Sequence, residues 1–197
     1  ISFTSHGAAG TVTGSKHLIE VQREGRIFRV LLDCGMFQGE AVRDARHDPN
    51  REFGFDPREV DVLVLSHAHI DHSGLLPRLV AEGYKGPIWS TPATRDLCAI
   101  MLEDSARIQE YDFAYDVKRA RKRGRELDFD EPLYTKDDVQ PAMELFQTAG
   151  YKQPTVIGPG ITLTYTDTGH ILGSAAVHLD IDDGERVLKF SFSGDVG

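Results

Sequence analysis

Residues 66–74 read SHAHIDHSG, so that His67, His69, Asp71 and His72 fall within six positions. Neutral imidazole and carboxylate are side chains that hold zinc and similar divalent ions. On extended chain His67 and His69 point the same way, while Asp71 and His72 come one turn later and face a second point. Three histidines and one aspartate at this spacing do not close a single structural site. They suit two adjacent ions, each short of ligands, and the missing ligands are to be sought downstream.

Two positions there match the need. TDTGHILGS places His170 just past an apolar strand, and FSGDVG places Asp195 at the end of another. Asp33 ends the run RVLLD in the same manner. Loops at strand ends are where α/β sheets build sites. Taken singly, each has a plainer reading: a satisfied histidine, an Asp-Gly turn, a strand-end cap. The open cluster at 67–72 draws His170 and Asp195 into the site.

The elements that must position these residues are legible in outline. KHLIEVQ (16–22) and RIFRVLLD (26–33) are β-rich runs around a Glu24-Gly25 hairpin signal. A long polar connection follows from Cys34 to Pro57, and VDVLVLS (60–66) reads as a buried strand leading into the histidines. SGLLPRLVAEGY (73–84) has helical spacing with Gly83 as its stop, and PIWS (87–90) is a short strand. From about 91 to 150 the chain is expected to be a helical insert. Thr91-Pro92 opens it, Thr135 and Asp138 form a variant capping box within it, and Gly150 ends it. Strands return at PTVI, GITLTYTD, AAVHLDID and RVLKFSFS, the last two joined through Asp183-Gly184. The expectation is one α/β domain.

Bulk properties narrow the classes. The 197 residues suffice for one full-sized core, no apolar run approaches a membrane span, and two cysteines make no disulfide framework, so cytoplasm is the expected compartment. A net charge of −9 argues against a general nucleic-acid coat protein. One basic run stands out, KRARKRGR at 118–125, with Lys118, Arg119, Arg121, Lys122, Arg123 and Arg125. It reads either as a solvated helix face or as a contact for RNA phosphates. The nearby Tyr111, Phe113 and Tyr115 are expected in the core, although aromatics can stack on bases. The loop GAAGTVTGS reads as a tight turn beneath the site or as a phosphate cradle, and His6 as a turn histidine. His17 and His178 are given no role, His47 is expected to be solvated, and Cys34 is expected in the core.

LLDCG, SHAHIDHSG, DTGHILGS and FSGDVG, in this order, resemble the four successive metal-site motifs of the metallo-β-lactamase superfamily. The opening GAAGTVTGSKHLIE and an insert containing EDSARIQE and PLYTKDDV are similar to its β-CASP branch, the RNA-processing ribonucleases related to the cleavage subunit of the pre-mRNA 3′-end machinery. The resemblance implies an αββα sandwich and a hydrolase that cuts RNA phosphodiester bonds through a hydroxide shared by two zinc ions. It implies His67, His69 and His170 on one zinc, Asp71 and His72 on the second, Asp195 bridging both, and Asp33 orienting the ligands. Asp71 and Asp33 are the expected catalytic pair. Single-stranded RNA is the expected partner, with no membrane involved; a homodimer stays open. The resemblance also implies a β-CASP domain after residue 197, with a further histidine ligand and the general acid. The second zinc site is therefore expected to be the weaker one in this segment. Other hydrolases of the superfamily, acting on thioesters or lactams, and a non-catalytic RNA-processing scaffold are the competing functions.

Overall fold

Alternation along two central strands divides the interior into two cores. In β3 (Arg26–Leu32), Val30 and Leu32 face one way and Leu31 the other; in β4 (Val62–Val64), Val62 and Val64 oppose Leu63. Leu31, Leu63 and Leu65 join a core shared with the helices, whereas Val30, Leu32, Val62 and Val64 join a core between two sheets. The computed structural model describes residues 1–39, 48–124, 127 and 129–197. His47, Arg125 and the middle of the polar connection lie outside these.

The first sheet has six strands in chain order: β1 (Ser2–Ser5), β2 (His17–Arg23), β3, β4, β5 (Ile88–Ser90) and β6 (Phe146–Thr148). The first three pair antiparallel and the last four parallel. The β2–β3 hairpin turns at Glu24 and Gly25, both at positive φ (51° and 78°), as a two-residue type I′ turn requires. The second sheet is antiparallel, in the order β10 (Val187–Phe192), β9 (Ala175–Asp182), β8 (Ile161–Asp167), β7 (Thr155–Gly158). Its β9–β10 turn has Asp183 Oδ1 accepting from the amides of Glu185 and Arg186.

Helices α1 (Ile70–Ser73), α2 (Leu76–Ala81), α3 (Pro92–Lys122) and α4 (Val139–Glu144) supply the helical layer. Helix α3 begins as the sequence suggested, with Thr91 Oγ1 accepting from the Thr94 amide. The Asp138 carboxylate accepts from both the amide and the hydroxyl of Thr135. The layered α/β sandwich is present, with its helices on the six-stranded sheet; among the described residues the inter-sheet core contains no residue of α1–α4.

Two details differ from expectation. The insert does not stay helical to Gly150: α4 ends at Glu144 and β6 adds to the sheet parallel to β5. A three-residue strand is too short to show a period of two, and the crossover through α3 and α4 is what a parallel pair requires. Strand β1 was also not legible, because all four of its residues are exposed at the sheet edge. Cys34 lies in the helix-side core as expected, and burial pushes its thiol up to about 12.

Candidate metal centre

Four loops converge at one end of the two sheets. Each leaves the C-terminal end of a strand: β3 into Asp33, β4 into His67–His72, β8 into His170 and β10 into Asp195. His67 Nε2 and His170 Nε2 each lie 3.1 Å from His69 Nδ1. Asp195 Oδ2 is 3.9 Å from His67 Nε2 and 3.5 Å from His170 Nε2. A tetrahedral ion with metal–nitrogen bonds of about 2.0–2.1 Å separates its ligand atoms by about 3.3–3.4 Å. The four atoms, all within 4.8 Å of one another, fit such an ion. Hydrogen bonds alone do not explain the arrangement. His69 Nδ1 faces two imidazole nitrogens and carries at most one proton, so it cannot satisfy both as a donor.

A second, sparser group lies beside the first. His72 Nε2 is 3.4 Å from Asp195 Oδ1 and 3.9 Å from Asp71 Oδ2. Asp195 therefore turns one oxygen to each group. The rings of His67 and His72 are 4.1 Å apart between centroids.

Asp33 sets the protonation pattern. It is fully buried, at φ +58°. Its Oδ1 accepts from the Ser66 amide (2.8 Å), and its Oδ2 accepts from Ser66 Oγ (3.0 Å) and Ser15 Oγ (3.1 Å). The same Oδ2 lies 2.7 Å from His72 Nδ1, so in the neutral ring the proton sits on Nδ1 and Nε2, facing Asp195, is the atom open to a metal. Since Ser66 Oγ gives its proton to Asp33, it accepts from His67 Nδ1 (3.0 Å), which frees His67 Nε2 in the same way. Burial first, then the neighbouring His72, pulls His67 down to about 4, so it is neutral at physiological pH. For His72 burial acts downward, but the Asp33 hydrogen bond and the surrounding carboxylates outweigh it and the net shift is upward.

Asp33→Asn tests this role. An amide keeps the shape but removes the charge that holds the His72 proton on Nδ1. The expected result is a loss of metal affinity of about 10- to 100-fold with little change in fold, measured by competition with a chromophoric chelator. Unchanged affinity would reduce Asp33 to a strand-end cap.

The loops are themselves tied down. Ser174 Oγ accepts from the amides of His170 (3.1 Å) and Ile171 (3.2 Å). Thr91 and Thr94, at the start of α3, donate hydroxyls to the Gly173 carbonyl at 2.7 and 2.9 Å. Residues 34–36 run alongside 70–72, with Cys34 N bonded to His72 O and Met36 N to Ile70 O. The glycine loop reads as a packed turn. Gly14 has φ +81° and no room for a Cβ beside the Phe37 ring, and Ser15 N bonds the Asp71 carbonyl at 2.8 Å. The buried Lys16 donates to the Gly35 carbonyl at 2.9 Å over the Phe37 ring.

The structure thus brings together His67, His69, Asp71, His72, His170, Asp195 and Asp33. It does not bring in the basic run, whose Lys118, Arg119, Arg121, Lys122 and Arg123 are exposed on and just past the last turns of α3. Ser15, Ser66 and His17 went unassigned in the sequence. His17 Nε2 is 3.3 Å from Ser15 Oγ, and its Nδ1 meets Ser5 Oγ at 2.5 Å, so a chain of polar contacts runs from the surface to Asp33. Only the placement of Ser66 between Asp33 and the first histidine offered a signal, and a lone serine carries little.

A sheet sandwich with metal-competent histidines and aspartates at its strand ends defines a class, the metallo-hydrolase-like α/β sandwiches. Residues 19–176 match the Metallo-beta-lactamase superfamily, and the chain belongs to that family. It is 42% identical over 193 residues to Ribonuclease TTHA0252 of Thermus thermophilus, covering 97% of this chain and 37% of that protein. It is 33% identical over 168 residues to Transcription termination factor FttA of Methanocaldococcus jannaschii, covering 85% of this chain and 23% of that protein. The chain thus spans between about a quarter and two fifths of these relatives. Among solved structures, a metallo-beta-lactamase from Cronobacter sakazakii with a HARLDQ motif shares the fold at a TM-score of 0.53 and 18% identity, covering 98% of this chain and 58% of that one.

Proposed function

We propose that this chain is the metal-binding part of a zinc-dependent ribonuclease of the β-CASP type, acting on single-stranded RNA. The convergence of His67, His69, His170 and Asp195 carries the reading, and the ribonuclease and termination-factor names of its relatives support RNA as the substrate. His67, His69 and His170 would hold one zinc, Asp71 and His72 a second, and Asp195 would bridge them. When bound, such ions supply an activated water and Lewis-acid polarisation of a phosphoryl oxygen.

The chain's own residues do the rest. Asp33 keeps the His72 lone pair outward through the Nδ1 contact. Asp71, part-exposed at the rim, would give Oδ2 to the second ion beside His72 and keep its other oxygen to hold a proton of the attacking water. Attack on phosphorus breaks the bond to the 3′ oxygen and leaves a 5′-phosphate. The 3′ oxygen would take its proton from a general acid outside residues 1–197, which the motif resemblance implies in a β-CASP domain. Two unpaired, buried thiols are compatible with a cytoplasmic setting.

The test is cleavage of 5′-labelled single-stranded RNA by the full-length protein. Cleavage should stop on chelation, return with zinc and leave 5′-phosphate ends; Asp71→Ala should abolish it. Cleavage indifferent to chelator, or turnover of thioesters or lactams with RNA untouched, would overturn the reading.

A further inference from the structure

We infer that the C-terminal third of α3 is a second RNA-binding surface, separate from the metal centre, built on a tyrosine set among cations. This rests on RNA being the substrate but not on the metal chemistry. Tyr111 and Tyr115 were expected in the core, yet they are 73% and 57% exposed. Phe113 alone turns inward, against Phe129 at 6.0 Å. Positions 111, 115, 118, 119 and 122 recur at three- and four-residue spacing, so they share one helix face. Tyr115, Lys118, Arg119, Lys122 and Arg123 line a shallow cleft of about 340 Å³. Arg121 is not part of its lining.

Charge pairing sets this face apart. Every other described arginine has a carboxylate within 4 Å, from Arg23 with Glu24 to Arg186 with Asp183. Among the described residues Arg119, Arg121 and Arg123 have none. The absence is notable in a chain of net charge −9, with 31 acidic against 22 basic residues. A helix C-terminus favours a cation or two. Five within six residues repel one another unless an anion meets them. An exposed aromatic face among unpaired cations matches a single strand, where bases stack and phosphates pair. An acidic protein would use the cations but has no need of the two tyrosines.

The location fits a guide for substrate. Helix α3 starts beneath the His170 loop, where Thr94 bonds Gly173, and Gln109 contacts Met36 beside α1. Tyr115 and Lys122 lie 6 and 13 residues further along, about 9 and 20 Å at 1.5 Å per residue. A strand held there would run back along α3 toward α1, which carries Asp71 and His72.

Binding of fluorescein-labelled U20 to the full-length protein, by anisotropy across a salt series with chelator present, tests the assignment. Tyr115→Ala should weaken binding roughly 10-fold, and Tyr115→Phe should restore it, since the ring stacks and the hydroxyl does not. Lys118→Gln/Arg119→Gln/Lys122→Gln should flatten the salt slope by about 2, at about 0.7 per lost phosphate contact. The charge-matched Lys85→Gln/Lys152→Gln/Lys189→Gln control should leave affinity and slope near wild type. Because chelator is present, failure of the nuclease reading leaves these results standing. Wild-type binding by Tyr115→Ala and the α3 triple variant, or equal displacement of U20 by polyglutamate, would overturn the assignment.

Discussion

Asp195→Ala should cost the full-length protein on the order of 10³-fold or more in the proposed metal-dependent RNA cleavage, because in that reading one carboxylate would serve both ion positions. Its Oδ2 completes the three-histidine group and its Oδ1 faces His72 Nε2 at 3.4 Å. Losing several kcal/mol of charge stabilisation at the reacting phosphoryl group corresponds to about a thousandfold per 4 kcal/mol. Metal content should fall unequally. The first position keeps His67, His69 and His170, which suffices for a weakened ion. The second keeps only Asp71 and His72 and should empty. Elemental analysis after dialysis reads both outcomes. Two retained ions, or activity within tenfold of wild type, would show that Asp195 is not the bridge.

Gly35→Ala should damage the same centre without touching a ligand. A Cβ on Gly35 would overlap the carbonyl carbon and oxygen of Asp71 and come within 2.5 Å of the His72 amide nitrogen. All three are backbone atoms, so no side chain can rotate away. Relief requires the start of α1 to move, and Asp71 and His72 with it. Overpacking of this kind costs about 1–3 kcal/mol, or roughly 2–12 °C in Tm for a domain of this size. The proposed second ion should bind more weakly, while the three-histidine group is spared in part. Differential scanning calorimetry and zinc titration measure the two effects; a variant with wild-type Tm and stoichiometry would mean that α1 tolerates displacement.

The ligands were legible because the chemistry is dense in the sequence. His67, His69, Asp71 and His72 sit in one loop, and His170 and Asp195 follow apolar strands at glycine-marked turns. The supports were not. Ser15, Ser66 and His17 act through contacts with Asp33 and its neighbours, and those contacts exist only once β2, β3 and β4 are side by side. Long strands and capped helices were visible through their periods and caps. Strand β6 was not, since Phe146 faces one core and Ala149, just beyond the strand, the other, with no repeat between them. Tyr111 and Tyr115 misled in the opposite direction. Helical spacing says which residues share a face, and only packing says whether that face is covered.

The two-core architecture makes an ion at this centre a fastener. His67 and His69 follow a strand of the six-stranded sheet, whereas His170 and Asp195 follow strands of the four-stranded one. Within the folded chain an ion held by all four joins the two sheets at one end, where the inter-sheet core runs out into loops. By mass action it stabilises the native state by about 2.7 kcal/mol when free metal stands at a hundred times its dissociation constant. Catalytic readiness and resistance to unfolding then rise and fall together with the free metal concentration, so metal starvation would both silence the protein and loosen its sandwich toward proteolysis.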